Sequence, residues 1–203
     1  MKIHLPILAA LILSGCASFN KYDIRAATLQ RTPSAAPVAV AGIDERDYLK
    51  RGEISPDYVG MTRGGYGNPF QVKTATKRPL ALEAAEVVAG SFGGKSAAPA
   101  VWDTEQVGAL AKLRASGAQR FVILKIIRWE SDTLIRTSLD YSVVIEVVDQ
   151  SGKTIASASE SKTKPLGGNF FVPAMHARKA VLSELENILN RLLAQPQVAA
   201  ALR

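Results

Sequence analysis

The strongest constraint on the fold comes from residues 135–147. Ile135, Leu139, Tyr141, Val143, Ile145 and Val147 fall on one side of a two-residue repeat. Arg136, Ser138, Asp140, Ser142 and Glu146 fall on the other, the pattern of a strand with one buried face and one wetter face. Upstream, Phe121-Val122-Ile123-Leu124-Lys125-Ile126-Ile127 is apolar on both sides, as an interior strand requires. Downstream, Asp149-Gln150-Ser151-Gly152-Lys153 reads as a hairpin turn with a glycine available for positive φ. The returning strand, Thr154 to about Lys162, carries Ala156 and Ala158, small enough to let a helix approach. A helix over about 174–193 supplies that cover. Its Val181, Leu185, Ile188 and Leu192 recur at three- and four-residue intervals, and Pro196 is expected to end it.

The first half of the domain is less regular. Val38–Ile43 suits a short buried strand, and the stretch from Asp44 to about Arg78 reads as a long irregular loop of the kind that binds or moves. Pro79 opens a helix through about Phe92, with Leu80, Ala84, Val87 and Val88 on its inner side and Gly93-Gly94 as the stop. A weaker helix over 104–116 has Thr104 as its cap and Val107, Leu110, Ala111 and Arg114 on one face, and Gly117 ends it. The order β-α-(α)-β-β-β-α predicts an α/β (α+β) fold. It should contain a mixed sheet of about four to five strands with two to three helices mainly on one face. A chain of 203 residues, 47% apolar and 21% charged, accommodates one such domain over 38–203 and little more.

Catalytic chemistry has little to draw on. No Gly-x-Ser-x-Gly elbow, His-Glu-x-x-His pair or Walker loop is present, so no enzyme and no cofactor is expected. The single cysteine, Cys16, excludes an intrachain disulfide and a cysteine zinc cluster; His4 and His176 are the only histidines. His176, beside Arg178 and Lys179, reads as an exposed helix residue. Asp44-Glu45-Arg46-Asp47 could place paired carboxylates for acid–base work or a cation, but with Arg46 among them ion pairing is the plainer reading. Two loops stand out as candidate partner-binding sites. Gly64-Gly65-Tyr66-Gly67-Asn68-Pro69-Phe70 offers Tyr66, Asn68 and Phe70, either as interface groups or as rings folded back onto the core. Asn169-Phe170-Phe171-Val172 offers Phe170 and Phe171, either as an interface or as a hydrophobic staple for the last helix.

The amino-terminal residues bear on location. Lys2 gives a positive start, Ile3–Leu13 is an apolar run too short for the roughly 20 residues a membrane span needs, and Leu13-Ser14-Gly15-Cys16 follows. This resembles the lipobox of bacterial lipoproteins. The resemblance implies that residues 1–15 are a signal peptide and that Cys16 becomes a lipidated amino terminus. The mature charge is then 24 − 18 = +6, since Lys2 is the only charged residue removed. Multiple acyl chains give stable anchoring. With no aspartate after Cys16, the resemblance implies the outer membrane of a Gram-negative cell, with the domain in the periplasm. Residues 16–37, with Thr32-Pro33-Ser34-Ala35-Ala36-Pro37, read as a flexible tether reaching roughly 65–70 Å when stretched. The alternative is that Phe19, Tyr22 and Ile24 add a short strand or turn to the domain. The thinly spread positive charge suits anionic envelope polymers or acidic protein faces and gives no reason to expect nucleic acid.

Taken with the Val38–Ile43 strand and its Asp/Arg-containing loop, the 135–162 hairpin and the final amphipathic helix, the chain resembles the YajG-like lipoproteins. More broadly it resembles the auxiliary lipoproteins of ABC-type envelope transport and the lipoproteins that activate peptidoglycan synthases. The likeness spans about residues 38–193, and the long 44–78 insertion departs from the shorter members. It implies a non-enzymatic accessory protein that contacts envelope proteins in assembly or transport, and only Cys16 carries over as a functional residue. A binding module for a small or lipid-like ligand, held between the sheet and the long loop, is the second expectation. Replacing Cys16→Ser should abolish membrane association in detergent fractionation. Intact mass should show acyl chains on the wild-type protein alone, and a wild-type chain of unmodified mass would refute the lipobox.

Overall fold

The long strand at 120–133 organises the molecule. In the computed structural model, which describes residues 20–203, it is β6 (Arg120–Thr133), and every other part of the sheet is built outward from its two edges. Residues 1–15 and Cys16 lie outside the described residues. One edge of β6 pairs antiparallel with β7 (Arg136–Val148) along nearly its whole length, from Phe121↔Val148 to Thr133↔Thr137. Strand β8 (Thr154–Gly168) then pairs antiparallel with β7 through the predicted 149–153 turn, where Gly152 has φ 95°.

The other edge of β6 is shared between two strands. Its first half pairs in parallel with β2 (Val38–Asp44), up to Asp44↔Ile126. Its second half pairs in parallel with β3 (Tyr58–Arg63), from Gly60↔Ser131 to Thr62↔Thr133. Beyond β3 come β4 (Pro69–Thr74), antiparallel to it, and then β1 (Lys21–Tyr22), parallel to β4; beyond β2 comes β5 (Val101–Asp103). The eight-stranded mixed sheet agrees with the α/β (α+β) reading in class and exceeds the expected strand number. The surplus lies in β3, β4, β5 and β1. The 44–78 stretch is therefore no irregular loop, because it holds the one-turn helix α1 (Asp47–Lys50) and the β3–β4 hairpin.

Helices α2 (Leu80–Ser91), α4 (Pro173–Leu193) and α5 (Pro196–Leu202) cover one face of the sheet. Helix α3 (Gln106–Arg114) covers part of the other, with Ala109, Leu110 and Leu113 packed on Ala41, Ile43, Phe121 and Ile123. Cover on both sides explains why 121–124 is apolar throughout. Gly42 is required where α2 crosses β2, because a Cβ there would collide with the Ala81 carbonyl. The α4 stripe falls as expected: Val181, Leu185, Ile188 and Leu192 are all buried against the sheet.

Three expectations need correction. The described part of the tether, 20–37, is attached to the domain: Tyr22 and Ile24 are fully buried, and Thr28 and Gln30 donate backbone hydrogen bonds to Glu186 and Asn190 of α4 at 2.7 and 2.9 Å. The short strand and turn weighed as the alternative are what form. Second, α3 starts at Gln106 with Glu105 at its cap position and no side-chain cap bond, Asp103 holding the Thr104 and Glu105 N–H groups just before it. Of the expected inner face Leu110 is buried, beside Ala109 and Leu113, while Val107 is 78% exposed. Third, Ile135 lies in the β6–β7 turn and is exposed, outside the buried row of β7. Helix α4 stops at Leu193, ahead of Pro196 as expected, and Pro196 in addition opens α5.

Ile145 on β7 and Leu185 on α4 are buried partners in one core, 0% and 2% exposed. Truncating either to Ala should cost about 2–5 kcal/mol in chemical denaturation. An unchanged midpoint for both would refute the register given above.

Candidate functional site

Three chain reversals meet at one end of the sheet. Strand pairing fixes their common level: Thr62 pairs with Thr133, Arg63 with Pro69, Thr133 with Thr137, and Arg136 with Gly168. The β3–β4 turn, the β6–β7 turn and the β8–α4 connection therefore project from the same edge of the molecule, side by side across the sheet.

The β3–β4 turn is closed by backbone bonds. Gly64 N–H donates to the Asn68 carbonyl at 2.9 Å and Gly67 N–H to the Gly64 carbonyl at 2.8 Å, with Gly67 at φ 81°, a conformation that favours glycine. Asn68 thus shapes the turn, and Tyr66 stands at its tip, 101% exposed. Phe70, at the start of β4, is 46% exposed. Neither ring folds back onto the core.

The β8–α4 connection is built by Asn169. Its side-chain oxygen accepts the N–H groups of Phe171 and Val172 at 2.9 and 3.0 Å, turning the chain into α4 with Pro173 at the first helical position. The result leaves Phe170 73% and Phe171 89% exposed, their rings edge to face at 5.6 Å. The staple reading fails for a simple reason. The residue a staple would grip in the first turn is His176, which offers no apolar side chain to receive Phe171. His176 itself is half-buried at the start of α4.

Between the two loops lies the β6–β7 turn, with Leu134 and Ile135 exposed, and beside Phe171 stand Val172 and Met175. Sequence reasoning missed these four residues. Eight of the eleven large exposed apolar side chains among the described residues sit in these three reversals; only Val107, Ile127 and Ile155 lie elsewhere. An available signal was the pair Leu134-Ile135 at a strand reversal, where polar turn residues are the rule.

The acidic cluster has a different role. Asp44 and Arg46 are both fully buried, and the guanidinium meets the carboxylate in two bonds of 2.7 Å. Arg46 also donates to the carbonyls of Tyr58 (2.7 Å) and Pro56 (3.2 Å), and its charge lies 5.5 Å from the centre of the Tyr48 ring. Burial opposes its charge, but the Asp44 carboxylate more than offsets this and holds the guanidinium above its ordinary pKa. The pair is satisfied from every side and presents no free carboxylate to a substrate. Near it, Tyr48, Ile54, Tyr58, Met61, Gln71 and Glu130 line an open groove of about 520 Å³ on the face away from α2 and α4. No cluster of three metal-ligating side chains occurs among the described residues.

No family profile matches the chain, and no curated protein matches it. Solved structures do. Protein XCC0632 from Xanthomonas campestris, of the family described as DUF330, shares the fold with a TM-score of 0.51 at 12% identity, covering 86% of this chain and 94% of that one. A PelC dodecamer from Paraburkholderia phytofirmans matches with a TM-score of 0.44 at 16% identity, over 86% and 95% of the two chains. Lipoprotein GNA1162 from Neisseria meningitidis matches with a TM-score of 0.30 at 16% identity, over 76% and 99%.

Removing one member of the buried pair leaves the other charged and unpaired. Arg46→Ala should therefore destabilise the domain by about 3–5 kcal/mol, whereas cutting the exposed, solvent-screened Arg51–Glu53 pair with Arg51→Ala should leave the midpoint nearly unchanged. Urea denaturation of the two variants side by side checks this, and equal midpoints would refute the structural role given to Arg46.

Proposed function

We propose that the chain is a cell-envelope lipoprotein, anchored through an acylated Cys16, that works by contact as a non-enzymatic accessory protein in envelope assembly or transport. The periplasmic face of the outer membrane is its place in a Gram-negative cell, and the YajG-like and ABC-type auxiliary lipoproteins are the relatives this reading favours. The observation that carries it is the exposed aromatic end. Tyr66, Phe170 and Phe171 are held outward by turns whose own hydrogen bonds are satisfied, so the exposure is built into the backbone. Contiguous exposed apolar groups of this kind mark interaction surfaces.

The 520 Å³ groove favours a second reading, a module that binds a small or lipid-like ligand between the sheet and the 48–54 segment. Its walls combine Tyr48, Tyr58 and Met61 with Glu130 and the Arg51–Glu53 pair, a mixture suited to an amphipathic molecule.

The two readings separate in one experiment. Tyr66→Ala with Phe70→Ala should leave thermal stability within about 0.5 kcal/mol of wild type, as exposed positions do. Crosslinking from this loop to envelope components in intact envelopes should be lost, because interface aromatics can each carry more than about 2 kcal/mol. A destabilised domain, or a stable one with undiminished crosslinks, would remove the aromatic end from the contact face.

A further inference from the structure

We infer that the aromatic end is a membrane-docking face: its occupant is the phospholipid leaflet that holds the chain's own lipid anchor. The inference rests on the acylated Cys16 of the preceding section and names what the contact face touches.

Three observations converge. The first is where the described chain begins. The Asn20 carbonyl accepts the Lys73 N–H at 3.0 Å, and Lys21 pairs in parallel with Lys73. Because β1 runs parallel to β4, the chain enters the fold from the β4 start, the end that carries Phe70 and the Tyr66 turn. From Asn20 the segment descends between α2 and α4 to the opposite end, where Ala35 N–H donates to the Leu202 carbonyl at 3.0 Å and β2 starts.

The second is the length of chain available. Only Ala17, Ser18 and Phe19 separate Cys16 from Asn20. Four residue steps reach at most about 14 Å. With an acyl-bearing residue at the lipid interface, the aromatic end cannot stand far from that interface, and the far end of the 14-residue β6 lies roughly 45 Å further away.

The third is the chemistry of the end itself. Tyr66, Phe170 and Phe171 are the amphipathic and aromatic groups favoured at the boundary between headgroups and acyl chains. Segments 64–71, 133–139 and 165–183 contain no Asp or Glu but do contain Arg136, Arg178 and Lys179. Arg178 and Lys179 sit five and six residues beyond Pro173, the first residue of α4, about 8–9 Å along the helix from the loop that carries Phe171, and are exposed. That spacing places cations at the level of lipid phosphates when the rings lie in the interface.

The test uses the full acylated chain in vesicles of phosphatidylethanolamine and phosphatidylglycerol. Once Cys16 is acylated, a cysteine introduced elsewhere is the only free thiol. Fluorophores are attached through Phe171→Cys, Tyr66→Cys and, at the opposite end, Ile155→Cys, all exposed positions whose replacement spares the core. Lipids brominated in the upper acyl chain should quench the labels at 171 and 66 and leave the label at 155 unquenched. Equal, negligible quenching at all three positions, with intact mass showing acylated Cys16, overturns the docking and leaves the anchor standing. Absence of acyl mass overturns the anchor and the docking together. Photocrosslinking groups attached through the same two cysteines that join a second copy in these vesicles, or a protein in native envelopes, with the fluorophores unquenched by lipid, also overturn it.

Discussion

The sheet depends on a handover along one edge of β6. Two strands, β2 and β3, occupy that edge in succession, both parallel to β6, and a gap between them would leave backbone groups unpaired inside the molecule. Asp44 and Arg46 fill it. The Glu45 N–H donates to the Ile126 carbonyl at 2.9 Å, closing the last rung of β2, and Arg46 reaches the carbonyls of Pro56 and Tyr58, where β3 begins. The register of β6 against β7 shifts between Ile126 and Arg128, at the same level. That irregularity leaves Ile127 exposed and carries the strand on toward Trp129, which is fully buried on the α4 side. A charged pair is a costly way to plug a gap, since two ions must be stripped of water. It succeeds here because each guanidinium nitrogen has an acceptor and both carboxylate oxygens are engaged.

From this handover the molecule acquires two unequal halves. The half that carries β2 and β5 is covered on both faces, with the Lys125–Glu146 pair as the one charged contact in its β6–β7 rows. The half that carries β3, β4 and β1 is covered on one face only, and its other face bears Arg128–Asp140 and Arg63–Asp132 pairs. The apolar groups of that half that lie outside the core are concentrated at its end, in the turns.

Legibility followed periodicity. The alternation of 136–148 and the stripe of α4 are long, regular and flanked by clear stops, so both were readable and both set the core. Strands β3 and β4 were not. Tyr58-Val59-Gly60-Met61-Thr62-Arg63 contains a glycine that lets Ser131 approach, and Pro69-Phe70-Gln71-Val72-Lys73-Thr74 begins at an edge-tolerant proline, so neither alternates cleanly. The strap at 20–37 was hidden by its prolines, which look like linker chemistry; its burial is carried by Tyr22 and Ile24, two residues without a period. Tyr66, Phe70, Phe170 and Phe171 were legible as candidates because they sit in glycine-bounded loops. That the loops share one end with Leu134 and Ile135 follows only from strand register, which sequence does not contain.

The strap has a mechanical consequence. Force applied at the amino end enters the domain at β1, directed along the strand axis, so the hydrogen bonds between β1 and β4 are strained in shear and break together, not one after another. Behind them Tyr22 and Ile24 must leave a closed core, and the bonds from Thr28 and Gln30 to α4 must part before tension reaches β2. The domain is thus held at its amino end by a short lap joint, and tension applied there would be passed to the whole sheet before the chain could peel away.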